Sequence, residues 1–241
     1  MSPEILRRAK AYPFTIPSRS YVVAAGAHEE LGPDAAAPDI SGRRPVLAVG
    51  SNQSPEQLSR KFSEPGWAPI PVVRARLKDF DIVYSAHVAS YGSIPATLGH
   101  CPGTTVSLFV NWLTPEQEER MHETEVSTGN YHFGKLDGIE LALDPGPALT
   151  SAFVYTSRRG AFLRDGVPIA LRAIHAENRR WPALHQKEIQ RHAREKFSPD
   201  QPLDAFILAA VENASVRKER TEAMISESAA FGYSGLTPIE I

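Results

Sequence analysis

The stretch Val46-Leu47-Ala48-Val49-Gly50-Ser51-Asn52-Gln53-Ser54-Pro55-Glu56-Gln57-Leu58 constrains this chain more than any other. A short apolar run, which reads as a buried strand, is followed by Gly-Ser-Asn and then by a helix start. Ser54 is the expected cap, Pro55 takes the first helical position, and Gln57 closes a capping box. A small-residue loop is thereby set between a strand end and a helix N-terminus. Backbone N–H groups are unpaired at such a place, and the helix dipole favours an anionic or oxyanionic ligand.

The segments around it give the fold class. Phe80 to Ser85 and Thr105 to Trp112 are rich in β-branched and aromatic residues and read as strands, with Pro95 to Leu98 as a further extended piece and Pro102-Gly103 as a turn. Thr114-Pro115-Glu116-Gln117 repeats the helix-start pattern, and the helix is predicted to run to about Glu125. Residues 131–143 alternate apolar and polar, and Ser151 to Thr156 is another strand. The expected class is α+β: a mixed, curled or closed, small barrel-like sheet with short helices, followed by a helical C-terminal extension. The expected division is an N-terminal arm over 1–44, a core over 45–168 and the extension over 169–241. The arm is proline-rich, contains the low-complexity run Asp34 to Asp39, and reads as irregular with one short helix near 3–11. Residues 167–179, 182–196, 202–210 and 214–229 read as helical, and Asp165-Gly166 is a hairpin turn signal.

Bulk properties exclude several classes. With 241 residues and a net charge of −2, the chain gives no whole-molecule case for nucleic acid or for an anionic membrane surface. The basic stretch 172–196 reads as a solvated helix face, without the aromatic residues that would stack on bases. No run approaches the roughly 20 apolar residues of a membrane span, and no signal-peptide core is visible, so the expected location is cytoplasmic. Cys101 is the single cysteine, which precludes an internal disulfide and suits a reducing compartment.

Three pieces, in order, make the chain resemble the γ-glutamylcyclotransferase-like family. Val46 to Ser54 is similar to the family's strand and Tyr-Gly-Ser-Asn-Leu loop. Ala75 to Ser85, with Pro95-Ala96-Thr97-Leu98 and Pro102-Gly103-Thr104-Thr105-Val106, is similar to its next strand, Ala-Thr-Ile and Pro-Gly segments. Leu113-Thr114-Pro115-Glu116-Gln117, Met121 to Glu125 and Tyr131 resemble its Leu-Thr-x-Glu-Glu helix, acidic turn and following tyrosine. The resemblance spans about 46–157; within it Val49 stands where the family usually has Tyr, His122 replaces an Asp and Val126 a Gly.

What the resemblance implies is an intramolecular acyl transfer without cofactor or metal. The α-amine of a γ-glutamyl group attacks its own γ-carbonyl, giving 5-oxoproline and releasing an amine. Glu125 aligns with the family's general base, and partial burial beside Met121, Val126 and Tyr131 would raise its basicity. Val49, Gly50, Ser51 and Asn52 are expected to hold the substrate, with Tyr131 as a further hydrogen-bonding group. The expected partner is thus a small-molecule γ-glutamyl substrate, with no nucleic acid, no membrane and a possible homodimer. Two alternatives stand beside this: a non-catalytic binding or interaction protein on the same fold, and another amide hydrolysis or acyl transfer in the same cavity. Glu118, His122 and Glu125 have helical spacing that could hold a metal, but the second histidine of a His-Glu-x-x-His motif is absent.

Overall fold

A computed structural model describes residues 2–32, 35–127 and 129–241, with Ser2 by its backbone alone. Asp34, the first residue of the low-complexity run, lies outside the described residues. Helix α1 (Ser2–Lys10) and the strands β1 (Tyr21–Ala24) and β2 (Ala27–Glu30) precede β3 (Arg44–Ala48), a 3-10 turn (Ser51–Gln53) and α2 (Pro55–Lys61). Then come β4 (Ile70–Tyr84), β5 (Ala96–Leu113), α3 (Pro115–Glu125), β6 (Tyr131–Asp144) and β7 (Ala148–Ser157). The remainder holds the short strands β8 (Ala161–Arg164), β9 (Val167–Pro168), β10 (Ala170–Leu171), β11 (Ala176–Glu177) and β12 (Ala183–Leu184). Helices α4 (Gln186–Phe197), α5 (Leu203–Glu212) and α6 (Ala214–Ile225) follow, and β13 (Ser228–Ala229) and β14 (Leu236–Ile239) complete it.

Five strands close into a ring, in the order β5-β3-β7-β6-β4 and back to β5. All neighbours in the ring are antiparallel except β3 and β7, where Val46 lies beside Phe153 and Leu47 beside Val154. The fold is therefore α+β around a closed, mixed barrel-like sheet. Alternation along β3 explains why its apolar run is continuous. Leu47 and Val49 join the core shared with Leu77, Leu108, Leu136 and Val154. Val46 and Ala48 face a second core with Leu58, Phe109, Met121 and Tyr155. Both faces are covered, so period-two alternation leaves no polar side.

Several expectations need correction. The Pro102-Gly103 signal makes no chain reversal: β5 continues through it, and the register against β4 shifts between Lys78 and Phe80. Asp79, at φ 66°, accepts a hydrogen bond from Gly103 N at 2.7 Å, which marks a bulge. The arm is more ordered than expected: β1 and β2 form a hairpin through Ala25-Gly26, and β1 pairs with β4. Residues 167–179 are not helical but carry the short extended pieces β9 to β11. There Pro168 removes a helical N–H, and Ala170 pairs with Val83 of β4. The stretch 182–196 becomes helical only from Gln186, and 214–229 stops being helical at Ile225. The extension is thus helical only in part, and β14 returns to pair with β6. Asp165 and Gly166, at φ 54° and 80°, do form the tight turn between β8 and β9. Arg179 of the basic stretch leaves the surface: its guanidinium donates two bonds of 2.9 Å to the fully buried Asp81. No helix among the described residues is long and apolar enough to cross a membrane.

Candidate active site

The strand directions bring one set of ends together. The C-terminal ends of β3, β4 and β7 and the starts of β5 and β6 lie at the same rim of the ring. A cavity of about 650 Å³ opens there. It is lined by Val49 and Gly50 after β3, His87 after β4, Arg159 after β7, Ala96 at the start of β5 and Tyr131 at the start of β6. Ser51, Asn52 and Glu125 line it as well, so every site residue expected from the sequence faces one space.

Helix α3 delivers Glu125. Its start is the capping box expected at Thr114 and Gln117, with Gln117 N donating to Thr114 Oγ1 at 3.3 Å and Thr114 N to Gln117 Oε1 at 3.0 Å. The box expected at Ser54 and Gln57 does not form. Ser54 N is already bonded to Ser51 O at the end of the 3-10 turn, and Ser54 Oγ and Gln57 Oε1 are buried without partners. The turn is held from outside: Tyr21 Oη donates to Gln53 O at 2.7 Å, and Asn111 Nδ2 to Asn52 O at 3.2 Å.

Loop and helix meet at one carboxylate oxygen. Asn52 Nδ2 donates to Glu125 Oε1 at 3.1 Å, and the Lys61 ammonium pairs with the same oxygen. The Glu125 side chain is 17% exposed and that of Lys61 only 6%. The apolar surroundings expected for Glu125 are therefore replaced by an ammonium. Met121 packs against the lysine instead, with Sδ 3.3 Å from Nζ. Lys61 could have been found in the sequence: it lies three positions after Leu58 on the same helix face, a lysine on an apolar stripe.

Two tyrosines clasp residue 96. Ala96 N donates to Tyr12 Oη at 2.8 Å, and Tyr131 Oη donates to Ala96 O at 3.0 Å. Burial holds both phenols well above their ordinary range, so both are protonated donors. Tyr12 comes from the arm, and its hydroxyl rests directly against Gly50: a Cβ there would lie 2.1 Å from Tyr12 Oη. No local pattern marks Tyr12, because its contacts lie across the whole barrel rim.

His87 adds a neutral group. Its Nδ1 is 2.7 Å from Ser85 Oγ, and its ring meets Tyr131 edge-on. Burial, reinforced by the Arg159 guanidinium, pushes its pKa down to about 3. An unfolded chain takes up that proton below the ordinary value of 6.5, whereas the folded chain does so only near 3. Stability is therefore expected to fall as pH drops from 6.5 towards 3, with this group contributing about 1.4 kcal/mol per pH unit. Urea unfolding at stepped pH measures the slope, which should be shallower by about that amount in His87→Gln.

The other candidates sit apart from this chemistry. Glu118 pairs with Arg44 at 2.7 Å, and His122 Nδ1 lies 2.7 Å from Tyr155 Oη. Among the described residues no three His, Cys, Asp or Glu side chains are grouped as metal ligands. Cys101 is buried against Thr104, with Sγ to Oγ1 at 3.2 Å.

No family model and no curated protein sequence matches the chain. Among solved structures, one described as a gamma-glutamyl cyclotransferase is 18% identical, with a TM-score of 0.38, over 80% of this chain and 92% of that one. A structure of a human protein described as uncharacterized is 16% identical, with a TM-score of 0.40, over 81% of this chain and 93% of that one.

Proposed function

We propose that this chain is a γ-glutamylcyclotransferase-like enzyme that cyclises a γ-glutamyl amide or peptide to 5-oxoproline and releases an amine. One observation carries the reading. The Glu125 carboxylate is hydrogen-bonded to Asn52 of the Gly50–Asn52 loop inside a single cavity that Tyr131 also lines. A carboxylate turned to solvent, away from that loop, would have favoured a binding protein.

The chemistry follows from the groups present. The substrate α-ammonium, with a reference pKa of about 7.7–8.0, gives a proton to Glu125. The freed nitrogen attacks the γ-carbonyl carbon, and the carbonyl electrons move onto oxygen. As the oxyanion collapses, Glu125 passes its proton to the leaving nitrogen and that bond breaks. The ring nitrogen, still carrying two hydrogens, gives its second proton to Glu125, which hands it to the released amine, so the lactam leaves neutral and the amine as an ammonium. Atoms and charge balance without another reactant. Lys61 and Asn52 act as positioning residues that fix the carboxylate from two sides. The hydroxyl of Tyr12, whose oxygen already accepts from Ala96, is the donor for the oxyanion, in a site where preorganised donors are worth most. Folding the flexible glutamyl chain onto itself in a shaped cavity supplies several kcal/mol more.

The test is incubation with a panel of γ-glutamyl amines and dipeptides, with chromatographic detection of the product. The expected product is 5-oxoproline. Free glutamate instead would assign amide hydrolysis in the same cavity, and turnover of no member of the panel would leave a binding protein.

A further inference from the structure

The charge on the cavity wall does not match the substrate's glutamyl half. Six cationic side chains line the space: Arg60, Lys61, Arg120, Arg159, Arg217 and Lys218. Glu125 is the one carboxylate among the lining residues, and Lys61 and Asn52 already engage it. Arg120 pairs with Glu123, and Lys218, whose side chain is 79% exposed, lies 3.8 Å from Glu222, both acids outside the lining. Arg159 Nε is buried with no hydrogen-bond partner, an arrangement that costs free energy unless an occupant supplies the acceptor. Arg217 is held in place at the far wall, where its guanidinium donates to Ala210 O at 2.7 Å. Helix α6, which carries Arg217 and Lys218, is tied to the rim through Thr221 Oγ1, the acceptor for Val88 N at 3.2 Å. Arg60 lies close enough to Arg8 for the two guanidiniums to repel each other.

A γ-glutamyl group brings one α-ammonium and one α-carboxylate, so its net charge is zero. It would leave the excess of cations on the lining unmatched. Arg159 and Arg217 of α6, which line the cavity and have no acidic partner among the described residues, are the cations left for whatever is attached to the γ-carbonyl. We propose that the leaving group of this site is polyanionic, carrying at least two negative charges as carboxylates or as a phosphate. This rests on the cyclotransferase reading, which locates the leaving group. It goes beyond it in naming the leaving group's chemistry and in giving α6 a role in recognition.

Four substrates test the charge: γ-glutamyl-ethanolamine, γ-glutamyl-glycine, γ-glutamyl-aspartate and γ-glutamyl-phosphoethanolamine. The first has a neutral leaving group, the second one negative charge, the third two carboxylates and the fourth a phosphate. kcat/KM is expected to rise along the series, at least tenfold from neutral to doubly charged, and the gap should narrow with added salt. The third and fourth arms tell carboxylate from phosphate. Arg159→Glu should collapse the ratio of doubly charged to neutral substrate. Equal or faster turnover of γ-glutamyl-ethanolamine overturns the proposal. If no arm yields 5-oxoproline, the cyclase reading fails separately, and charge preference is then decided by binding alone. Calorimetric titration with N-glutaryl-aspartate and N-glutaryl-ethanolamine, which lack the α-amine and cannot cyclise, gives that answer. At least tenfold tighter binding of the acid upholds the proposal, and equal or weaker binding sinks it.

Discussion

Glu125→Gln is expected to lower 5-oxoproline formation by about 10²–10⁴-fold, the range for loss of a positioned general base. The same change has a stability cost that must be separated from the catalytic one. Lys61, only 6% exposed, would be left beside an uncharged amide. Leaving a buried charge unpaired costs at most about 3–5 kcal/mol. The double variant Lys61→Met, Glu125→Gln resolves the two effects. Lys61 Nζ already lies 3.3 Å from Met121 Sδ, so the surroundings accept a thioether chain of similar length. Calorimetry should find the melting temperature restored in the double variant, with product formation still lowered to the level of Glu125→Gln. A single variant that turns over at the parent rate, or a double variant that regains activity, would remove Glu125 from the role of base.

Gly50→Ala is the second large effect. Its added Cβ would lie 2.1 Å from Tyr12 Oη and 3.2 Å from Tyr12 Cζ. The backbone at Gly50 has φ −146°, so the objection is steric and not a matter of left-handed conformation. Tyr12 must withdraw, and the buried Ala96 N–H then loses its acceptor. Overpacking of this kind costs about 1–3 kcal/mol, and an orphaned buried N–H costs about 1–3 kcal/mol more. Activity should fall further than stability alone explains, because the loop, the phenol and the carboxylate share one space. Tyr12→Phe removes the hydroxyl that clashes, so adding it to Gly50→Ala should recover part of the lost stability. Denaturant midpoints for both single variants and the double variant measure that coupling. Additive losses would mean that the two groups do not touch.

Much of the ring was legible because its signals are local. Thr114-Pro115-Glu116-Gln117 specifies a helix start by chemistry confined to four residues, and the structure forms that cap. The β-branched and aromatic runs of β4 and β5 needed no partner to declare themselves. Ser54 shows where local reasoning stops: the same pattern fails to cap because the preceding 3-10 turn has already claimed its backbone. Residues 167–171 carry a local signal for extended chain, against the helix expected there. Val167, Ile169 and Leu171 alternate at period two, and Pro168 argues against a helix. Within the site, Gly50, Asn52 and Glu125 sit in recognisable motifs. Tyr12 and Arg159 reach the cavity only through barrel closure, and no spacing in the sequence announces them.

The parallel pairing of β3 with β7 has a kinetic meaning. Val46 cannot meet Phe153 until most of the ring has been synthesised, so closure waits on a contact distant in sequence. Until then β3 has β5 on one side and an open edge on the other. The strand that positions the Gly50–Asn52 loop thus waits, as β6 does, for the last strand of the ring. Chains halted between Leu113 and Ala148 present an unpaired apolar edge, the kind that nucleates association between nascent copies. The ring is thus closed in one late step, and ribosomal pausing before β7 emerges is expected to leave chains prone to aggregate.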